Sequence, residues 1–259
     1  MIANNADSPS SPLVSVIMPC YNMASFVIET IRSVQAQTYT PWELLIVDDA
    51  STDTTVDLIR RLCEEDPRIQ LQVKPSHSGI ADSRNQCLKQ AKGRYIAFLD
   101  ADDVWHPDKL ERQVRFMQEH DIAFSYASYD TISETGEPLD KVIQAKTNLD
   151  YEAYLRNTII GCSTVMLDAA KVGEVVVPQF RTSEDTATWL NLLRKGIVAY
   201  AIPTPLASYR IRRKSASSNK IKTAYDLWKV YRQQERLSFF YALNCFFHYA
   251  FNAIKKRVL

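Results

Sequence analysis

Short apolar runs alternate with segments of helical periodicity over the first hundred residues. Apolar or alternating runs of five or six residues, each bounded by polar or turn-forming residues, predict buried β-strands. Apolar residues at helical spacing between those runs predict helices. The predicted strands are 13–18, 42–47, 69–73 and 94–99, and the predicted helices are 25–37, a segment starting at Asp53, and 79–91. This alternation predicts βαβ units, and hence an α/β fold with a mostly parallel sheet flanked by helices.

The pattern is looser after residue 100. It predicts strands at 122–126, 163–167, 197–202 and 206–211, a turn at 134–138, and a helix at 182–195 that Gly196 ends. No internal repeat or low-complexity linker interrupts the chain. We therefore expect a disordered leader over 1–12, one catalytic-sized domain over 13–211, and a helical tail over 212–259.

Composition places the 259-residue chain among globular proteins, since 46% of its residues are hydrophobic and 24% are charged. Disordered, collagen-like and disulfide-stapled classes are excluded. The net charge of +1 gives no reason to expect a nucleic-acid partner. Residues 209–259, however, hold 12 Lys/Arg against 2 Asp/Glu, so the tail carries about +10 and the preceding chain about −9. A basic tail on an acidic body predicts an anionic partner for the tail.

Cysteine usage and the first residues both indicate a cytoplasmic protein. The five cysteines are widely spaced without a CxxC pair, which favours reduced, buried thiols over disulfides or a zinc site. They are Cys20, Cys63, Cys87, Cys162 and Cys245. Residues 1–12 are polar and lack the basic start and apolar run of a signal peptide.

Three predicted strands end in polar residues that would meet at one edge of the sheet. These ends are Pro19-Cys-Tyr-Asn22, Asp48-Asp-Ala-Ser51 and Asp100-Ala-Asp-Asp103. In an open parallel sheet, ligands bind beyond the carboxyl ends of the strands. Five carboxylates gathered there repel one another unless a cation or hydrogen-bond donors lie among them. A divalent metal that also holds a diphosphate is one solution, and the alternative is that these residues only cap helices.

Five segments together resemble family 2 glycosyltransferases of the GT-A fold, in an ordered set that spans residues 13–210. They are VSVIMPCYN at 14–22, SVQAQT at 33–38, VDDASTD at 47–53, GIADSRN at 79–85 and GRYIAFLDADD at 93–103. The resemblance implies an inverting enzyme that moves a sugar from a nucleotide donor, usually a UDP-sugar, to an acceptor hydroxyl. Within that family, the sequence resembles the enzymes of bacterial surface-polysaccharide synthesis.

The resemblance also implies roles for the residues at the strand ends. The nucleotide would be bound by Pro19, Tyr21, Asn22, Asp49, Arg84 and Asp100. Asp49 would contact the base edge and Asp100 the ribose, while Asp102 would hold Mn²⁺ or Mg²⁺. The alternative for Arg84 is a salt bridge to one of these aspartates. Asp48 is expected to brace its loop, and Asp103 to be structural or to share the ion.

A second group of carboxylates begins the helix predicted at 182–195. By the resemblance, Asp185 is the general base that takes the acceptor proton, and Glu184 is an acceptor or loop contact. On composition alone, Ser183 is a candidate N-cap, and both acidic residues would favour the helix dipole. Trp189 is expected in the core. Arg212 stands where relatives often carry a metal- or diphosphate-binding histidine, and an arginine can neutralise a diphosphate but cannot ligate a metal.

The tail contains an uncharged, aromatic stretch over 237–254, with basic residues on both sides. Eighteen residues is the short limit for a membrane span, and Asn244, His248 and Asn252 place a polar stripe on one face. An amphipathic helix on an anionic bilayer fits this pattern better than a span does. The alternative is a helix packed on the domain or on a second copy in a homodimer. The four histidines show no metal-ligand spacing and are expected to be surface or packing residues.

We therefore expect an inverting, metal-dependent glycosyltransferase at the inner face of the cell membrane, acting on a glycan or lipid-linked acceptor. A polyprenyl-phosphate sugar synthase is the alternative within the same enzyme class, although no paired membrane spans are present. A non-catalytic subunit that binds nucleotide-sugars is a second alternative. It would be favoured by a buried, salt-bridged Asp185 and by the lack of an acceptor cleft. A nucleotidyltransferase is disfavoured, because no Gly-rich, lysine-bearing loop follows the first strand.

Overall fold

The structure is a computed structural model that describes residues 11–212 and 220–258. The predicted leader therefore lies almost wholly outside the described residues. The strands are β1 Val14–Cys20, β2 Trp42–Asp48, β3 Ile69–Val73, β4 Tyr95–Phe98, β5 Val104–Trp105, β6 Phe124–Ile132, β7 Pro138–Ile143, β8 Met166–Asp168 and β9 Ala199–Arg210. The helices are α1 Val27–Gln35, α2 Thr55–Glu65, α3 Ile80–Gln90, α4 Lys109–Glu119, α5 Tyr151–Arg156, α6 Ala169–Val172, α7 Glu184–Leu193, α8 Lys220–Lys229 and α9 Phe239–Val258.

All described strands form one sheet in the order β3-β2-β1-β4-β8-β6-β9-β5. Strand β7 pairs with the C-terminal half of β6, at residues 129–132. The first four strands are parallel, as their βαβ pattern predicts. Strand β8 runs antiparallel to both β4 and β6, and β9 then pairs parallel with β6. The α/β fold with flanking helices is confirmed, and the sheet is parallel in its first half and mixed in its second.

Every residue of β1 and β2 is buried, because helices cover both faces of the sheet. Side chains of alternate residues enter two separate hydrophobic clusters. Ile17 and Phe98 belong to the cluster on one face, and Val16 and Met18 belong to the cluster on the other. Trp189 of α7 packs edge-on against Phe98 with ring centroids 5.0 Å apart, which places it in the core as expected.

The later strands depart from the predicted boundaries. The two strands expected at 197–202 and 206–211 are one strand, β9, whose register against β6 shifts beside Ser128. Pro203 and Pro205 lie at this shift, and they interrupt the apolar pattern because proline cannot donate a ladder hydrogen bond. The strand expected at 163–167 begins instead as a 3₁₀ turn over Cys162–Thr164.

The tail helices pack against the catalytic domain. Tyr231, in a π-helical turn after α8, is fully buried and donates its hydroxyl hydrogen bond to the Leu155 carbonyl at 2.6 Å. Ala242 and Cys245 on α9 belong to the same hydrophobic cluster as Ile17. Trp228 contacts Phe246 edge-on and so joins α8 to α9. Within the described residues, no helix has both the length and the apolar character needed to cross a bilayer.

Candidate active site

A cleft of about 1090 Å³ opens at the carboxyl ends of the parallel strands. It is lined by the loops after β1, β2 and β4, by the segments 158–164 and 179–182, and by Glu184 and Asp185. Every residue that the sequence analysis assigns to the site lines this cleft: Pro19, Tyr21, Asn22, Asp49, Arg84, Asp100, Asp102, Glu184, Asp185 and Arg212. The topology therefore brings together groups that lie up to 193 positions apart in the chain.

The loops after β1 and β2 are cross-linked by short polar side chains. Asp48 accepts hydrogen bonds from the Ser51 amide at 2.8 Å and the Ser51 hydroxyl at 2.5 Å. The Asn22 amide donates to the Ser51 hydroxyl, and the Asn22 side-chain oxygen accepts from the Thr52 amide. Asn22 and Ala50 both adopt left-handed φ values, 50° and 62°. Asp48 thus braces its loop as predicted, and the hydrogen bonds hold two non-glycine residues in a sparsely populated conformation.

Asp49 is buried in a ring of donors. Its carboxylate accepts hydrogen bonds from Lys74 Nζ at 2.6 Å, from the Ser78 amide at 2.9 Å and from the Gly79 amide at 2.7 Å. His77 Nδ1 lies 2.9 Å from the second carboxylate oxygen. The hydrogen bonds from Lys74 and the two amides keep the pKa of Asp49 below its ordinary value, although burial opposes them. Asp49 is therefore ionised and holds the loop that precedes α3.

Arg84 on α3 connects two carboxylates from distant parts of the chain. Its side chain is only 3% exposed and donates hydrogen bonds to Glu184 Oε1 at 2.8 Å and to Asp100 Oδ1 at 2.5 Å. The alternative considered for Arg84, a salt bridge to an aspartate at the strand ends, is thus present. Asn85, the next residue, forms two hydrogen bonds with the backbone of Val177 and fixes the segment leading to α7.

The Asp100–Asp103 loop directs its carboxylates in different directions. Asp102 Oδ2 lies 2.6 Å from Arg212 Nε, and both side chains are 15% exposed. Asp103 is buried and accepts hydrogen bonds from the Ser163 hydroxyl at 2.5 Å and the Arg210 amide at 3.0 Å. Burial raises the pKa of Asp103 well above its ordinary value. Asp103 therefore has structural contacts, whereas Asp102 meets a cation at the cleft wall.

Asp185 is the second residue of α7 and lies on the cleft wall. Its carboxylate accepts a hydrogen bond from the Thr186 amide at 2.6 Å. Burial raises its pKa above the ordinary value, and Arg84 partly opposes that rise. Burial also raises the pKa of the adjacent Glu184 to about 7. Ser183 stands at the N-cap position, but its side chain makes no capping hydrogen bond.

The cleft carboxylates are of the type that binds a divalent metal, but Asp100 and Asp102 already form ion pairs with arginines. Asp100 and Asp102 both line the cleft, and Mg²⁺-like ions use one or two carboxylates together with substrate phosphates. Among the described residues, no group of three or more His, Cys, Asp or Glu side chains could hold a metal by itself. Asp100 and Asp102 could therefore hold such an ion only together with ligands from outside the protein, and both are paired with arginines here.

Several cleft residues were not predicted from the sequence, among them His77, Ser163 and Lys222. The buried Lys74 that pairs with Asp49 was also not predicted. His77 is 56% exposed, as expected of a surface residue, but its ring also lies 4.4 Å from the Tyr21 ring and its Nδ1 contacts Asp49. Lys74 is buried between Asp49 and Asp82, and Ser163 joins Asp100 to Asp103. Lys222 of α8 also lines the cleft, so the tail contributes to its wall.

Comparison with solved structures identifies the class of fold. Residues of this chain superpose on S. aureus TarS 1–349 in complex with UDP-GlcNAc with a TM-score of 0.70 at 20% sequence identity. The match covers 85% of this chain and 64% of that one, so this chain spans somewhat less than two thirds of the TarS fragment. The mannosyltransferase PcManGT from Pyrobaculum calidifontis, in complex with GDP-Man and Mn²⁺, matches with a TM-score of 0.67 over 89% of this chain and 66% of that one, at 20% identity. The fold is the GT-A fold of glycosyltransferases.

Sequence comparison identifies the family. The family model described as "Glycosyl transferase family 2" matches residues 15–170, so the chain belongs to the family 2 glycosyltransferases. It is 49% identical to "Putative teichuronic acid biosynthesis glycosyltransferase TuaG" of Bacillus subtilis (strain 168), over 95% of this chain and 98% of the relative. It is 37% identical to the Escherichia coli UDP-Glc:alpha-D-GlcNAc-diphosphoundecaprenol beta-1,3-glucosyltransferase WfaP, over 94% and 95%. The predicted family is confirmed.

Proposed function

We propose that the protein transfers a sugar, with inversion, from a UDP-sugar to a hydroxyl of a lipid-linked glycan. The observation that carries this proposal is that Asp185 and the carboxylates after β4 line one cleft. In the proposed step, Asp185 takes the acceptor proton while the acceptor oxygen bonds to the anomeric carbon. The bond from that carbon to the diphosphate breaks, and its electron pair leaves with the nucleoside diphosphate.

The donor would lie against the loops after β1 and β2. Tyr21 is 39% exposed beside His77, and we propose that a nucleobase stacks on these aromatic rings. Because Lys74 and the loop amides already occupy Asp49, we propose that Asp49 contacts the base edge from a fixed position. The name of WfaP supports a UDP-linked donor. Asp102, with Asp100, would hold Mn²⁺ or Mg²⁺, which supplies charge neutralisation for the leaving diphosphate.

The acceptor proposal rests on the relatives, and the role of Asp185 toward the acceptor on its position at the cleft. WfaP is named for an acceptor that carries GlcNAc on diphosphoundecaprenol, and we propose an acceptor of this class. Asp185 has no ion-pair partner among the described residues, unlike the neighbouring Glu184. This geometry argues against a non-catalytic nucleotide-sugar-binding subunit, for which a salt-bridged Asp185 was expected.

The reaction test uses the full chain with UDP-sugars and two acceptors, a GlcNAc-diphosphopolyprenol and a polyprenyl phosphate. Asp185→Asn is expected to lower kcat by about 10²- to 10⁴-fold, the usual effect of losing a general base. Affinity for UDP should change by no more than about twofold. Asp140→Asn, an exposed carboxamide substitution on β7, is the matched control. Loss of UDP binding by Asp185→Asn would contradict the assignment, and transfer to polyprenyl phosphate alone would favour the synthase.

The outer face of the tail is the proposed membrane-binding surface. Phe240, Phe247 and Phe251 are 82%, 65% and 67% exposed. Their spacing of seven and four residues places them along one side of α9, opposite the buried Ala242 and Cys245. Exposed Arg232 and Arg236 precede the helix, and basic residues near an anionic leaflet contribute about 1 kcal/mol each. We propose that this face binds an anionic bilayer at the inner side of the membrane, where a lipid-linked acceptor would be found.

Because α9 also packs on the core, substitution tests this proposal better than truncation. Deletion of 239–259 would uncover the cluster that Ala242 and Cys245 complete, so the truncated chain is expected to lose stability. The triple variant Phe240→Ser/Phe247→Ser/Phe251→Ser should instead stay folded and no longer co-sediment with anionic liposomes. A control variant replaces exposed apolar residues elsewhere by serine, at Leu139, Val142 and Val176. Equal sedimentation of all variants would contradict the proposal, and a dimer that only the triple Phe variant disrupts would favour a second copy.

A further inference from the structure

The ion pair between Arg212 and Asp102 joins the end of β9 to the loop after β4. Arg212 Nε lies 2.6 Å from Asp102 Oδ2, and the guanidinium carbon lies 5.3 Å from the centroid of the Phe26 ring. Both partners line the cleft. The Arg212 guanidinium therefore pairs with the same carboxylate, that of Asp102, which a divalent metal would use.

Arg210, two residues earlier, makes a different set of contacts. It is 1% exposed at its side chain, donates Nε to the Asp102 carbonyl at 2.8 Å, and pairs with Glu29 at 2.6 Å. Its amide donates to Asp103. Arg210 thus fixes the backbone of the loop, while the more exposed Arg212 contacts the Asp102 side chain. Displacing Arg212 would free a carboxylate oxygen without disturbing these loop contacts.

We propose that Arg212 is an exchangeable counter-cation that couples metal binding at Asp102 to the arrival of the donor diphosphate. In the ligand-free protein, Arg212 neutralises Asp102 and competes with a divalent ion for its carboxylate. A diphosphate offers the guanidinium a more highly charged partner with matching bidentate geometry. Once Arg212 pairs with the diphosphate, Asp102 is available to the metal. This proposal rests on the proposed nucleotide-sugar donor. It gives Arg212 the role of making metal binding depend on the presence of the donor.

The coupling has a thermodynamic consequence that can be measured without turnover. If UDP and Mn²⁺ each displace Arg212 from the same carboxylate, each must tighten the binding of the other by an equal factor. Typical couplings of this kind are about 5- to 150-fold. Removal of the guanidinium should therefore tighten the binding of Mn²⁺ alone and reduce the effect of UDP on it.

The experiment measures Mn²⁺ binding by the electron paramagnetic resonance signal of the free ion, with and without UDP. Arg212→Gln is expected to bind Mn²⁺ alone at least about fivefold tighter than the unmodified protein, with a smaller gain on adding UDP. Arg181→Gln is the control, because it removes a different, exposed arginine that also lines the cleft. Asp102→Asn should abolish the bound Mn²⁺ in either background.

Two outcomes separate this inference from the proposed function. Unchanged or weaker Mn²⁺ binding by Arg212→Gln, with UDP and Mn²⁺ still bound together, would overturn the role of Arg212 and leave the transferase proposal standing. Failure of the unmodified protein to bind UDP or UDP-sugars would instead contradict the proposed donor. Tighter Mn²⁺ binding by Arg212→Gln without UDP would still support the competition at Asp102.

Discussion

Replacing Arg84 by methionine tests whether this arginine holds the loop after β4 and the start of α7 together. Methionine keeps an unbranched side chain of similar length and removes the charge. In the folded protein, Arg84 is 3% exposed and pairs with Glu184, which is 8% exposed, and with Asp100, which is 28% exposed. The substitution would leave Glu184 buried beside Asp185 without its cation.

The expected cost follows from these exposures. Removing one partner of a buried ion pair costs about 3–5 kcal/mol, because the other charge stays buried and uncompensated. We expect about 3 kcal/mol here, since Asp100 is partly solvated and Glu184 has a pKa of about 7 and can take up a proton. For a chain of this size, that corresponds to a decrease in Tm of about 6–12 °C.

The assay is urea unfolding of the two proteins, followed by tryptophan fluorescence at pH 8 and pH 6. Arg84 lowers the pKa of Glu184, so without Arg84 the carboxyl group is protonated to a higher pH. The difference in stability between the proteins should therefore be smaller at pH 6 than at pH 8. The double variant Arg84→Met/Glu184→Gln should recover part of the loss. A difference below about 1 kcal/mol at pH 8 would refute the reasoning, because that is the scale of a surface pair.

Three further predictions concern the metal, the base and the packing. Asp102→Asn should lose the part of UDP binding that depends on Mn²⁺, as measured by calorimetry with and without EDTA, and full transfer activity of this variant in EDTA would contradict the assignment. Burial raises the pKa of Asp185, and a protonated carboxyl cannot accept the acceptor proton. The acid limb of kcat should therefore lie at a higher pH than for an ordinary aspartate, and an inflection at or below pH 4 would count against Asp185. Gly93→Ala should destabilise the fold by about 1–3 kcal/mol in thermal unfolding, because a Cβ there would lie 2.6 Å from the Ser15 amide nitrogen; an unchanged Tm would show that β1 can move aside.

The early strands and helix α4 show what a hydrophobic pattern can and cannot predict. Strands β1 and β2 are buried on both faces, so their continuous apolar runs identify them directly. Helix α4 was not predicted, because its buried face includes Lys109 and Gln113. Lys109 is fully buried and donates a hydrogen bond to the Gln113 side chain at 2.7 Å. Its Nζ lies 3.9 Å from the centroid of the Trp105 ring. Only the folded structure shows that these polar residues face inward.

The site residues predicted from sequence all line the cleft, but their partners could not be predicted. A polar residue after a buried strand can be placed at the sheet edge from the pattern alone. The pairing of Arg84 with Glu184 joins residues 100 positions apart, and Arg212 meets Asp102 only because β9 returns to the sheet beside β5 and β6. Such contacts depend on tertiary structure, so sequence could offer a salt bridge for Arg84 only as an alternative.

The acidic edge of the sheet needs compensating charge, and the chain supplies it from three separate segments. Lys74 contacts Asp49, Arg84 contacts Asp100, and Arg212 contacts Asp102. Lys74 and Arg84 are 5% and 3% exposed, and Arg212 is 15% exposed. A charged ligand exchanges most readily with the least buried of the three cations, because desolvation and lost contacts increase with burial. The first two pairs are therefore suited to holding the loops in place, and the Arg212–Asp102 pair to exchanging with the diphosphate and its metal.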